Sequence, residues 1–115
     1  MPHRPPRYFV VLVTAPDLKT ARNLAQAALS KRLVACANIV SGVESHYWWE
    51  GKLESATEQL LHFKTTEPNI DALRSLIEQE HPYDIPEFVA IEISSGSQAY
   101  LNWIQQATIS QGRSV

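Results

Sequence analysis

The sequence predicts one α+β domain of order β-α-β-β-α-β, followed by an added helix. Three observations carry this expectation. Strand-like segments rich in β-branched and aromatic residues occupy residues 8–13, 34–40, 52–66 and 88–94. Two apolar stripes with helical spacing lie between them, at Leu18, Ala21, Leu24, Ala25, Ala28 and Leu29, and at Ile70, Leu73, Leu76 and Ile77. The length of 115 residues suits a single domain that buries about two-thirds of its unfolded surface.

The first segment, Tyr8-Phe9-Val10-Val11-Leu12-Val13, is apolar without alternation, as in a central strand covered on both faces. Pro16 stops it and Asp17 is placed to cap the first helix. Residues 34–40 form the second strand, and Ser45-His46-Tyr47-Trp48-Trp49 continues it past an irregularity at Ser41-Gly42 that suits a bulge. Glu50-Gly51 fits a tight turn. The third strand then returns over residues 52–66, with Leu61, Phe63 and Thr65 alternating against Leu60, His62 and Lys64. Pro68 suits a helix start, and His81-Pro82 ends the second helix. A fourth strand spans 88–94, and Tyr100, Trp103, Ile104 and Ala107 stripe the terminal helix.

Two crossover helices joined through a hairpin give the split βαβ, or ferredoxin-like, arrangement: an antiparallel sheet with helices on one face. The expected domain covers residues 8–108, with flexible tails at 1–7 and 109–115. Trp48 and Trp49 are adjacent on a strand and face opposite ways. At least one indole is then exposed in a monomer, which predicts a homo-oligomer.

Charge and cysteine content narrow the function classes. Ten Lys and Arg against 12 Asp and Glu give a net charge of −2, with no basic patch for nucleic acid. The third strand, from Glu58 to Thr65, also lacks the glycine–aromatic pattern of an RNA-recognition sheet. One cysteine, Cys36, excludes an internal disulfide and reads as a small buried hydrophobe. No apolar run approaches a membrane span, and no secretory leader pattern appears, so the expected compartment is the cytoplasm. There is no GxSxG and no glycine-rich phosphate loop.

The richest segment is Glu80-His81-Pro82-Tyr83-Asp84-Ile85-Pro86-Glu87, which sets an imidazole, a phenol and three carboxylates in a loop stiffened by prolines. It suits a metal or small-ligand site centred on His81. It equally suits a helix C-terminus where His81 meets the last carbonyls and Tyr83 packs, and spacing alone favours this second use. Acid–base catalysis by His81 with Asp84 or Glu87 ranks last. Lys64 reads as the cationic half of a salt bridge, and no role is assigned to His46 or His62.

Six pieces in register resemble the CutA divalent-cation tolerance family: Val11-Leu12-Val13-Thr14-Ala15-Pro16-Asp17, Leu33-Val34-Ala35-Cys36-Ala37-Asn38-Ile39, Ser45-His46-Tyr47-Trp48-Trp49-Glu50-Gly51-Lys52, Lys64-Thr65, the loop from His81 to Glu87, and Tyr100-Leu101-Asn102-Trp103-Ile104. The resemblance spans residues 8–107. It implies a ferredoxin-like homotrimer, non-enzymatic, linked to tolerance of copper and other divalent metal ions. Some members are thought to bind copper through a first-strand cysteine and a His-His pair. Those positions here hold Val13 and Glu80, so His81 alone is carried over, which implies weak binding of copper(II) or another divalent cation. The related PII-like trimers hold small ligands between subunits. That alternative makes Trp49, Lys64, Tyr83 and Glu87 the ligand-cleft candidates.

Overall fold

The computed structural model describes residues 6–109, so most of both expected tails lies outside the described residues. Four strands, β1 (Tyr8–Ala15), β2 (Cys36–Trp49), β3 (Lys52–Thr66) and β4 (Val89–Glu92), form one antiparallel sheet in the order β2-β3-β1-β4. Helices α1 (Leu18–Ser30) and α2 (Ile70–Glu80) are the two crossovers, and α3 (Gln98–Ala107) follows β4.

Alternation along β1 and β3 sets the layers. Val11, Val13, Ala15, Leu61 and Phe63 are fully buried, and they meet Ala21, Leu24, Ala28, Leu73 and Ile77 from α1 and α2. Each large side chain buried this way contributes about 1.5–3 kcal/mol relative to exposure. The opposite face carries Val10, Leu12, Leu60 and His62, which are only half-buried. β1 is therefore central in the sheet but covered fully on one face, a correction to the expectation from its unbroken apolar run. Strand position sets this, and sequence patterning cannot separate a doubly covered strand from one whose second face awaits a partner.

The stripes of α1 and α3 are narrower than their spacing suggests, while Leu73, Leu76 and Ile77 of α2 are all buried. Leu18 and Leu29, at the ends of α1, are exposed, while the alanines and Leu24 between them are buried. In α3 only Ile104 is fully buried, and Tyr100 and Trp103 stay exposed with their rings 5.5 Å apart. α3 also crosses to the half-open face of the sheet. The Tyr8 hydroxyl, which shares that face with Val10, donates to Gln105 Oε1 at 3.4 Å, and the Lys64 ammonium lies 6.0 Å from the Tyr100 ring centre.

Local chemistry sets several element boundaries where expected, though not that of β4. Asp17 caps α1, accepting from the Thr20 amide at 2.7 Å. The register between β2 and β3 slips between Val40 and Val43, where Gly42 adopts φ +76°, so the bulge falls at Ser41-Gly42. Glu50 (φ 51°) and Gly51 (φ 77°) both take left-handed conformations between the paired Trp49 and Lys52, the signature of a type I′ turn. Pro68 sits in the first turn of a short 3-10 segment, Glu67–Asn69, that runs directly into α2. β4 is shorter than the expected 88–94. It pairs only with Phe9–Leu12 of β1, and Ile93 adds one further amide bond to the Tyr8 carbonyl. Arg7, placed in the tail by sequence, is tied by its guanidinium to Glu67 at 2.7 Å and Glu92 at 2.8 Å.

Candidate functional site

The loop between α2 and β4 wraps the C-terminal end of β1. His81 is the C-cap of α2 and its ring is buried, but it does not turn back onto the helix carbonyls. Only its backbone amide does so, donating to Ile77 at 2.9 Å. The Tyr83 amide donates to His81 Nδ1 at 3.1 Å, so Nδ1 is an acceptor and Nε2 carries the proton. Nε2 donates that proton to the Thr14 carbonyl at 2.7 Å. Both ring nitrogens of His81 are thus committed to backbone groups, and the ring ties the loop to the end of β1.

Tyr83 stacks at a tilt on His81, ring centres 4.6 Å apart, and its hydroxyl donates to Glu58 Oε2 on β3 at 2.8 Å. Glu58 is buried, at 6% exposure. Burial raises the Tyr83 phenol well above its ordinary value, and the hydrogen bond to Glu58 and the nearby negative charge add to the rise. The Glu87 carboxyl is also raised, first by burial and then by repulsion from Glu58. The end of β1 therefore gathers an imidazole, a phenol and two carboxylates that repel each other. Glu58 had no signal in the sequence. It lies 25 residues from Tyr83 in a strand that reads as ordinary alternation, and only sheet pairing brings it near.

The other expected residues do not converge here within one chain. Trp49 stands at the turn of the β2–β3 ribbon, 42% exposed. Lys64 lies six residues along β3 from Glu58, about 20 Å away. Lys64 makes no salt bridge among the described residues. Its ammonium donates to Asn38 Oδ1 at 2.7 Å, to which the Cys36 thiol also donates at 3.5 Å. Lys64 and Cys36 are paired across the strands, so a neutral amide replaces the expected carboxylate partner.

The donor set does not form a ready-made copper site. Val13 points into the helix-side core, fully buried, and Glu80 is exposed beside a groove of about 200 Å³ shared with Thr20, Asn23 and Pro82. Among the described residues no group of three or more His, Cys, Asp or Glu is placed to hold a metal ion. A larger concavity of about 560 Å³ lies at the other end of β1, between Tyr8, Glu92 and Leu101, and none of the expected site residues lines it. No described helix is long and apolar enough to cross a membrane.

The architecture and sequence match known proteins over nearly the whole described chain. The family model of the CutA1 divalent ion tolerance protein matches residues 9–107. A chloroplastic CutA 1 of Oryza sativa subsp. japonica is 44% identical over 99 residues, which are 86% of this chain and 56% of that protein. The chain spans a similar share, 54%, of a chloroplastic CutA of Arabidopsis thaliana. A divalent-cation tolerance protein CutA of Thermus thermophilus is 41% identical over 86% of this chain and 96% of its own length. A solved CutA1 structure from Oryza sativa superposes with a TM-score of 0.87 at 42% identity, covering 91% of this chain and 96% of that one. The chain belongs to the CutA1 divalent ion tolerance protein family.

Proposed function

We propose that this protein is a non-enzymatic homotrimer of divalent-cation tolerance that meets copper(II) or another divalent ion weakly, at or near His81. The observation that carries this reading is the family match over residues 9–107, and the double engagement of the His81 ring is what argues that any ion there is held weakly. A metal ion at either nitrogen must displace a backbone hydrogen bond, and no thiolate or second imidazole stands beside it to offset that loss. The ion is then a transient ligand, not a resident cofactor. The trimer draws its support from the half-open sheet face and from the exposed Trp48 and Trp49.

The test is a calorimetric copper(II) titration of metal-free protein, run beside His81→Gln, with molar mass measured by light scattering. Expected are a trimer mass and weak, saturable binding that the variant loses while keeping its helical and strand signal. Equal affinity in the variant removes His81 from the site, and a monomer mass removes the assembly.

A second reading is a PII-like sensor trimer that holds a small ligand in inter-subunit clefts. Its support is the spread of Trp49, Lys64, Tyr83 and Glu87 along the sheet, since only an assembly can gather groups this far apart. Thermal stabilisation by anionic metabolites in the absence of metal is the result that favours it.

A further inference from the structure

Past the bulge, one face of the β2–β3 ribbon is open along its whole length. Glu44, His46 and Trp48 pair with Thr57, Ser55 and Leu53, and all six are exposed. The opposite face carries buried Glu58 and half-buried Val43, Ser45 and Ala56. Glu58 alternates in step with Leu60 and His62, so the Glu44–His46 face turns away from the half-open side of the sheet. These residues lie beyond the last pairing of β3 with β1, at Ala15–Gln59.

Residues two apart on a strand point the same way, and here their side chains converge. His46 Nε2 lies 2.6 Å from Glu44 Oε2, with the two side chains 61% and 76% exposed. A pair this open to water adds little to stability, so parting it costs little. His81 is the reverse case, because backbone groups engage both of its nitrogens. His62 is half-buried between Leu12 and Asn38, which offer no carboxylate. Of these three histidines, His46 alone joins an open imidazole to a carboxylate. That donor pair suits a borderline divalent ion such as copper(II) or zinc. An ion about 2.1 Å from each donor needs them roughly 3.0–3.4 Å apart, a small opening for two exposed side chains.

We propose that Glu44 and His46 form a two-residue surface chelate for a borderline divalent cation, separate from the His81 loop. The proposal rests on the divalent-ion reading above only for the class of ion, and it gives that ion donors that can turn toward it without breaking the fold. Water completes the coordination, with the Ser55 hydroxyl on the paired strand within side-chain reach. Two protein ligands make a weak, exchangeable site rather than a resident one.

The test follows tryptophan emission as copper(II) is added to metal-free protein. Trp48 lies two residues from His46 on the same strand face, about 7 Å away, so a paramagnetic ion held there quenches it. Wild type is compared with His46→Gln, Glu44→Gln, His81→Gln and Trp48→Phe, and circular dichroism checks that each variant folds. Expected is saturable quenching in wild type and His81→Gln, reversed by EDTA. His46→Gln should weaken it by about 10-fold or more, Glu44→Gln by less, and Trp48→Phe should remove most of its amplitude. Unchanged quenching in His46→Gln overturns the proposal, as does full amplitude in Trp48→Phe. Loss in folded His81→Gln with His46→Gln unaffected also overturns it and leaves the reading at His81 standing. Wild type without saturable binding, by emission and by calorimetry, overturns both.

Discussion

The Tyr83 hydroxyl donates a 2.8 Å hydrogen bond to the buried carboxylate of Glu58, across 25 residues of sequence. With the His81 ring bonded to the Thr14 carbonyl, this bond fixes the α2–β4 loop over the end of β1. Two side chains 67 and 25 residues from their partners thus decide where the loop sits.

Tyr83→Phe removes the donor and leaves Glu58 Oε2 buried beside a second carboxylate. A bond to a charged group, here partly screened because Tyr83 is 36% exposed, is worth about 1–2 kcal/mol. Urea unfolding of the variant at neutral pH should show that loss. An unchanged midpoint would mean that water replaces the hydroxyl at no cost.

Glu50 holds φ 51° in the two-residue turn before Gly51, a conformation that asparagine adopts more readily. Glu50→Asn should stabilise the protein by about 0.5–1 kcal/mol, seen as a higher thermal midpoint. A lower midpoint would indicate that the Glu50 carboxylate makes a contact in the assembly.

Asp17 connects stability to pH through the cap of α1. The Thr20 amide, bonded to its carboxylate, holds the Asp17 pKa below the ordinary value. For an acid with a depressed folded pKa, the contribution is present above the unfolded value, near 4, and is lost as pH falls through the folded one. Asp17→Asn, an uncharged cap, should keep the helix at neutral pH and flatten that acid-side decline in thermal midpoint. A decline identical to wild type would show that other carboxylates govern it.

Much of the fold was legible because local rules operate there without competition. Asp17 reads as a cap, Ser41-Gly42 as a bulge and Glu50-Gly51 as a turn, and each is found in that role. Leu61, Phe63 and Thr65 alternate into the core as their period requires. Legibility falls where a partner is far away in sequence. Lys64 meets Asn38 instead of a carboxylate, and the His81 ring meets β1 instead of the end of its own helix.

By itself the sequence determined the element order, the hairpin with its bulge, the helix-facing core and the family, because periodicity, capping and turn chemistry act within a few residues. Only the tertiary structure decided which groups share the end of β1. The tertiary fold, with sheet order β2-β3-β1-β4, sets Glu58 beside Tyr83 and the Thr14 carbonyl beside His81 Nε2, while it leaves Trp49 and Lys64 far along the strands. The physical reason is that a site made by strand pairing depends on distances between chain segments, and a linear pattern carries no record of those distances.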